Sequence, residues 1–226
     1  MIKLSQTSKM PCKSWSLQAL THCNRGQKLA CQENAICHSC YASKNRYLFK
    51  PIKDARQAQY DHWIWTKDLD WIDEMTAIID KTAKTDKFGN RYFRWFDSGD
   101  LQSVSMLQEI VTIARNLPDI KFWLPTRETG ILQEYFDGTR TAPINLLIRV
   151  SMDFIDETIA RYKTVIHDEW TDHVTFSTVT TEPDRHQCIQ SDKIIKVKGK
   201  EVTIKVCGDC RRCWDRKNEI TSYALH

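Results

Sequence analysis

Four cysteines near the end of the chain have the types and spacing of an iron-sulfur site. Cys207-Gly-Asp-Cys210-Arg-Arg-Cys213 is a C-x2-C-x2-C loop, and Cys188 precedes it by eighteen intervening residues. One tight loop of that spacing hands thiolates to three corners of a [4Fe-4S] cluster, so the fourth must arrive from elsewhere in the chain. The intervening residues show how. Lys193-Ile-Ile-Lys-Val197 and Val202-Thr-Ile-Lys-Val206 are short β-branched runs joined by Lys198-Gly-Lys-Glu201, the composition of a hairpin. A hairpin returns the chain and sets Cys188 beside Cys207. Cys188, Cys207, Cys210 and Cys213 are therefore expected to bind one [4Fe-4S] cluster. Zinc is the alternative, because two C-x2-C pairs make a tetrahedral site, but three cysteines on successive x2 spacings overcrowd that two-plus-two layout. Cysteines acting only as small buried hydrophobes do not suit so polar and basic a segment.

Five further cysteines lie near the N-terminus: Cys12, Cys23, Cys31, Cys37 and Cys40, the last two in Cys37-His-Ser-Cys40-Tyr-Ala42. A single C-x2-C fits zinc, an iron-sulfur cluster or a redox disulfide, and spacing does not choose partners among Cys12, Cys23 and Cys31. A second metal site is expected on Cys23, Cys31, Cys37 and Cys40. His22 and His38 adjoin it, more as hydrogen-bonding neighbours than as ligands.

The elements that must position these thiols are legible between them. Residues 52 to 84 read as helical. Arg91-Tyr-Phe-Arg-Trp-Phe96 is a strand; Ser105 and Gln108 form a capping box for a helix whose face carries Leu107, Ile110, Val111 and Ala114, and Pro118 ends it. Strands at 120–124, 145–150 and 174–179 alternate with helices over 128–136 and 154–162. Such alternation predicts a parallel sheet, as a partial (β/α) barrel or an open sheet, with cysteine-rich metal-binding segments at both ends. The chain reads as one α/β domain: a cysteine-rich segment over 1–50, a helical and β-α core over 51–187, and a cluster-binding segment over 188–217.

In parallel α/β folds the ligand face lies at the carboxyl ends of the strands. Those ends are polar here, at Asp97-Ser-Gly-Asp100, Thr126-Arg-Glu128, Ser151-Met-Asp153 and Thr180-Thr-Glu182. Taken singly, Asp100, Thr126 and Asp153 suit helix caps. Arg127 differs, since a guanidinium at the top of a sheet calls for an anion. Asp97 and Asp100 are candidates for its partners or for an acid/base pair, and Asp97, Asp100 and Arg127 are the catalytic candidates.

Charge follows the cysteines. Residues 1–60 carry 10 Lys and Arg against 2 acids, residues 61–187 carry 14 against 22, and residues 188–217 carry 9 against 4. Cations around an anionic cluster would stabilise it and raise its potential. The same pattern suits nucleic acid, so charge alone leaves both readings open. Trp95 and Trp123 fall inside core strands, which weakens a base-stacking role for the 8 tryptophans. No dinucleotide fingerprint or P-loop is present. No apolar segment precedes the cysteines and none is long enough to span a bilayer, so an intracellular protein without membrane association is expected, its thiols reduced.

Ser14-Trp-Ser-Leu17, Cys37-His-Ser-Cys40-Tyr-Ala42, Arg94-Trp-Phe-Asp-Ser-Gly-Asp100, Phe122-Trp-Leu-Pro-Thr-Arg127 and Cys207-Gly-Asp-Cys-Arg-Arg-Cys-Trp214 together resemble the bacteriophage "gene product eighty-eight" family, in order and across nearly the whole chain. The resemblance implies a phage-encoded protein acting in the cytoplasm of the infected bacterial host, without supplying a mechanism. It implies that Cys23, Cys37, Cys40, Cys188, Cys207, Cys210 and Cys213 are the family's cysteines and that Cys12 and Cys31 are additions. A more distant analogy, of architecture only, is to radical S-adenosylmethionine enzymes, which set a three-cysteine cluster above a partial parallel barrel. Cys31-x5-Cys37-x2-Cys40 is not their C-x3-C-x2-C loop. The expected function is redox chemistry or small-molecule activation during infection, with an electron donor or small molecule as partner. The rival is a zinc- or cluster-stabilised module that grips nucleic acid or a host protein.

Overall fold

The structure, a computed structural model, describes residues 3–6, 9–66, 68–137, 140–160, 173–182, 184–197 and 199–225. Its centre is a seven-stranded sheet in the order β1-β2-β3-β4-β5-β6-β9. The strands are β1 (Ser5–Gln6), β2 (Lys13–Trp15), β3 (Arg91–Trp95), β4 (Ile120–Thr126), β5 (Leu146–Ser151), β6 (Val174–Thr180) and β9 (Ile220–Ala224). β1 runs antiparallel to β2 and every later pairing is parallel. Strands are added to one edge in chain order, so right-handed crossovers place the connecting helices on one face. The sheet does not close, and β1 and β9 are its two edges. Of the two architectures expected, it is the open sheet.

Side chains alternate across each strand and give the sheet two different faces. Phe93, Trp95, Phe122, Leu124, Ile148, Val150 and Phe176 pack against helices α3 (Leu69–Thr82), α4 (Val104–Asn116) and α5 (Thr129–Phe136) in one hydrophobic cluster. From α4 the predicted stripe Leu107, Ile110, Val111 and Ala114 is fully buried there. On the opposite face Tyr92 and Trp123 pack with Cys12, Cys213 and Trp214.

Three expectations change. The α4 cap lies two residues earlier than the Ser105/Gln108 box, because Ser103 has the extended backbone a cap needs and its Oγ accepts the Met106 N–H. The helical stretch over 52–84 is two helices, α2 (Lys50–Thr66) and α3. The break is pinned by buried Glu109, which accepts the Trp63 indole N–H at 2.7 Å and the Asp68 N–H at 2.7 Å. Residues 154–159, expected to be helical, form a bridge and turns: Phe154 pairs with Ala35, and Glu157 accepts the N–H groups of Asp153 and Phe154. Arg161 and Tyr162 lie outside the described residues. The hairpin forms as expected, from β7 (Ser191–Val197) and β8 (Lys200–Val206), in register from Ser191 opposite Val206 to Val197 opposite Lys200. Among the described residues no helix is long and apolar enough to cross a membrane.

Candidate functional site

The hairpin ends beside the sheet's last strand. Cys188 donates its N–H to Ser222 O at 2.7 Å, as Gln187 bridges Ser222 in parallel, so β9 fixes one stem of the ribbon. After the other stem the chain turns tightly. Gly208 adopts φ 50°, and Cys210 donates its N–H to Cys207 O at 2.9 Å. A 3-10 turn over Arg212–Trp214 then lays the Trp214 ring on Trp123 and Tyr92, centroids 5.5 and 5.1 Å apart, with its indole N–H on Phe93 O at 3.0 Å. Arg211 braces the loop by donating to Gly208 O and Cys210 O, and pairs with Asp86 at 3.2 Å.

This arrangement brings Cys188, Cys207, Cys210 and Cys213 within range of one another's charge. Burial, and then the neighbouring thiols, push Cys188 up to about 12 and Cys207 up to about 11. A fifth cysteine joins them. Cys12, at the start of β2, is buried with Cys213 and Trp214, and burial pushes it up to about 12 despite Arg94, with Cys207 and Cys213 adding to the rise. The N-terminal segment closes over the loop, with Lys9 O accepting the Cys207 N–H and the Cys207 Sγ 3.6 Å from the Met10 sulfur.

Two arginines of the sheet lie under this group. Arg94 stacks on Trp123, 4.5 Å from its ring centre, and pairs with Asp97 at 2.9 Å. Arg149 is fully buried. It donates to Phe176 O at 2.8 Å, Thr221 Oγ1 at 3.0 Å, and Arg212 O and Asn218 O at 3.3 Å. Its Nε has no acceptor, and among the described residues no carboxylate lies within 4 Å of its guanidinium. Burial disfavours its charge, and Tyr223 and Cys213 favour it. The Cys213 Sγ lies 3.4 Å from the Tyr223 hydroxyl.

The second group stands at the carboxyl ends of β3, β4 and β5. Cys23 stands at the N-cap position of the short helix α1 (Asn24–Leu29), while Cys37 lies within, and Cys40 just after, the 3-10 turn Ile36–Ser39, whose Ile36 N–H donates to Asp153 O. Arg25 donates its backbone N–H to Glu128 at 2.7 Å and pairs through its guanidinium with Asp153. Gly26, inside α1, is where the two cysteine segments meet. A Cβ there would stand 3.6 Å from the Cys37 Sγ, 3.8 Å from the Cys23 Sγ and only 2.8 Å from the Cys23 Cβ. Burial raises the Cys23 and Cys37 thiols; Cys40 and Asp100 push both further, and Arg127 opposes the rise at Cys37.

The expected ligand Cys31 is not brought to this group. Being in the exposed turn after α1, its Sγ is directed at Gln27 O, 3.8 Å away. His22 stacks on Tyr60 with centroids 4.0 Å apart, and the His38 Nδ1 is 3.0 Å from Ala30 O. Among the described residues no three His, Cys, Asp or Glu side chains converge as a single metal ion requires.

The three strand-end candidates have distinct surroundings. Asp100 is buried; its Oδ1 accepts from Leu101 N–H at 2.8 Å and Thr126 Oγ1 at 2.5 Å, and its Oδ2 accepts the Arg127 N–H at 2.9 Å. It thereby ties β3 to β4, whereas capping of α4 falls to Ser103. Asp97 belongs to a separate network, accepting from the Tyr47 hydroxyl at 2.6 Å and pairing with Arg94 and, at 3.7 Å, with Arg56. Gly99 between them has φ 77°, and a Cβ there would strike the Leu17 backbone at 2.9 Å, so the two aspartates diverge around a position that only glycine fills. Arg127 donates Nε to Met152 O at 3.1 Å, and no carboxylate among the described residues lies within 4 Å of its guanidinium. Cys12, expected with the N-terminal cysteines, lies instead with the C-terminal group, and Gly26 and Arg149 are not among the residues expected from the sequence.

The model of the family described as Gene product 88 matches residues 2–216. The chain belongs to the Gene product 88 family. The match takes in both cysteine groups and strands β1 to β6, as well as the hairpin that delivers Cys188 and Cys207. Neither a curated protein nor a solved structure matches the chain.

Proposed function

We propose that this Gene product 88 protein is an iron-sulfur protein, holding a [4Fe-4S] cluster on Cys188, Cys207, Cys210 and Cys213 for electron transfer or small-molecule activation in the infected bacterial cytoplasm. Arg149 carries the reading. A fully buried guanidinium without a carboxylate is costly, since carbonyl oxygens satisfy its N–H groups but do not neutralise it. Tyr223, Cys213 and, more weakly, Asp215 favour its charge, and of these Cys213 is the one whose negative form a bound metal centre would supply. Binding a metal centre converts the quartet's thiols to thiolates, and the charge on each side is then matched. When bound, the cluster would supply a one-electron redox couple.

Zinc would also draw thiolates, and the spacing argues against it. Four thiolates at about 2.3 Å from one zinc must converge on a point. A cubane takes its thiolates at separate corners, which suits three cysteines from one C-x2-C-x2-C loop and a fourth, Cys188, brought in by the hairpin. Nine free cysteines also suit a reducing compartment.

The test is anaerobic purification with iron, acid-labile sulfide and zinc measured per chain, on the natural protein and on the triple variant C207A/C210A/C213A. Iron and sulfide in equal amounts, at about four per chain or more, reduced by about four in the variant, support the quartet. Zinc without sulfide would reject it.

A second reading, a nucleic-acid grip, is favoured by one observation. Among the described residues the β7–β8 ribbon forms a two-stranded sheet of its own and stands exposed with Lys193, Lys196, Lys200 and Lys205 along it. Binding of a DNA duplex that falls steeply as salt rises would support it, and no binding at low salt would dismiss it.

A further inference from the structure

We propose that Cys23, Cys37 and Cys40 form a second, three-thiolate [4Fe-4S] site, its fourth corner left for an exogenous small carboxylate held beside Arg127. The proposal does not rest on the Cys188 quartet; it needs only its own three thiols.

Three thiols remain here because the fold takes the other two N-terminal cysteines away. Cys12 is drawn into the opposite group by the pairing of β2 with β3, and Cys31 stays exposed after α1. Protein groups that could supply a fourth ligand are already engaged. Asp100 accepts three hydrogen bonds. Asp153 holds the Arg25 guanidinium, and Glu128 holds the Arg25 N–H. His22 is stacked on Tyr60, its Nε2 3.4 Å from the Gln57 side-chain oxygen, and His38 meets Ala30 O.

Room and charge are both arranged around the thiols. Glycine inside a helix costs about 1 kcal/mol relative to alanine, and Gly26 has no positive φ to require it. What requires it is the close approach of the Cys23 Cβ, 2.8 Å from where a methyl carbon would stand, with the Cys37 and Cys23 sulfurs in contact range at 3.6 and 3.8 Å. Arg127 supplies the cation. It is partly exposed and anchored through Nε on Met152 O, and among the described residues no carboxylate lies within 4 Å of its guanidinium, so its outer nitrogens remain for an anion. Thiols and guanidinium together occupy the carboxyl ends of β3, β4 and β5, the face on which parallel sheets bind ligands. A small carboxylate fits both requirements, with oxygen for the open iron and charge for Arg127.

Citrate is a suitable probe, with imidazole as the uncharged control. Anaerobically reconstituted protein is compared with the triple variant C23A/C37A/C40A, expecting a fall of about four iron and four sulfide per chain. The wild-type protein supplies an independent reading that survives misfolding of the variant: mild ferricyanide oxidation should release the iron that lacks a thiolate and give the EPR signal of a three-iron cluster. Citrate should perturb the EPR spectrum of the reduced protein. Arg127→Ala should weaken citrate about ten- to hundredfold while leaving imidazole binding unchanged, with Arg127→Lys between. Equal iron in wild type and a folded triple variant, no three-iron signal, an EPR spectrum indifferent to citrate, or equal citrate affinity in Arg127→Ala would each overturn the proposal. Failure of the quartet reading is separately visible: about four iron in wild type and none in a folded triple variant would sink the quartet and leave this site standing.

Discussion

Replacing Arg149 by methionine separates a structural arginine from one that answers an anionic metal centre. In the metal-free protein two effects oppose each other. The side chain makes two well-formed hydrogen bonds, at 2.8 and 3.0 Å, and two long ones at 3.3 Å. Bonds from a charged donor contribute about 1.5–3 kcal/mol each, so the two good ones account for about 3–6 kcal/mol. Against this stands the desolvation of a fully buried cation with no carboxylate, itself several kcal/mol, which methionine of similar length recovers. The metal-free variant should therefore unfold within about 2 kcal/mol of wild type. With a metal centre in place the sums no longer cancel, because the attraction between guanidinium and thiolates is lost as well. Across roughly 5–10 Å at an effective dielectric of about 20, a unit charge is worth about 1.5–3.5 kcal/mol. On a one-electron couple that is about 70–140 mV, and its sign is fixed: removing a cation disfavours the more negative, reduced state, so the potential falls. The assay is a redox titration followed by EPR, beside denaturant unfolding of the metal-free form. A potential within about 20 mV of wild type would refute the reasoning, and so would a metal-free variant losing more than about 4 kcal/mol.

Gly26→Ala should fail to deliver the roughly 1 kcal/mol that alanine gives an ordinary helix, because its methyl meets the Cys23 Cβ at 2.8 Å. Reconstituted Gly26→Ala should retain about four fewer iron atoms, and a higher melting temperature with iron intact would contradict the cradle. Cys31→Ser should leave iron and sulfide unchanged, since its exposed sulfur belongs to neither group; iron analysis decides this. Asp100→Asn turns one of three accepting contacts into a donor facing a donor, at a cost of about 1–3 kcal/mol, and thermal melting should fall by about 2–10 °C. No fall would mean that the tie between β3 and β4 is not holding their ends.

Local signals were enough for the parts whose partners are local. The hairpin was readable because β-branched runs flank a glycine turn, and its register alone returns Cys188 to Cys207. The core strands were readable because Phe93, Phe122, Ile148 and Phe176 lie in apolar runs long enough to show. β1, β2 and β9 were missed because two, three and five residues of mixed polarity carry no period; their strand character comes from pairing with distant chain. Losing β2 also lost Cys12, whose destination is set by the Lys13–Phe93 register and by nothing in its neighbours. The helix expected from Phe154 does not begin there, because Glu157 folds back onto the Asp153 and Phe154 amides, a local bond that competes with helix; Ala160 is helical, and Arg161 and Tyr162 lie outside the described residues.

Arg149 was the avoidable miss, and it bears on what both cysteine groups hold. Leu146, Ile148 and Val150 alternate with Leu147 and Arg149, so a strand buried on one face by the apolar set commits a guanidinium to the other. The fold treats its arginines in two ways. Arg25, Arg56, Arg91, Arg94 and Arg211 each have a carboxylate within 4 Å, while Arg127 and Arg149, like Arg115 and Arg212, have no such ion pair among the described residues. Arg149 and Arg127 face the two cysteine groups, the first toward Cys213 and the second toward Cys37. A scaffold that can place Asp97 against two arginines could supply a carboxylate here as well. Leaving both cations unpaired beside thiols is what a thiolate centre in each place requires, and one measurement separates the two. Arg149→Met should lower the potential of the quartet's signal alone, and Arg127→Ala should weaken citrate without moving that signal. If either variant disturbs both, the groups do not hold independent centres and the division into a closed and an open site fails.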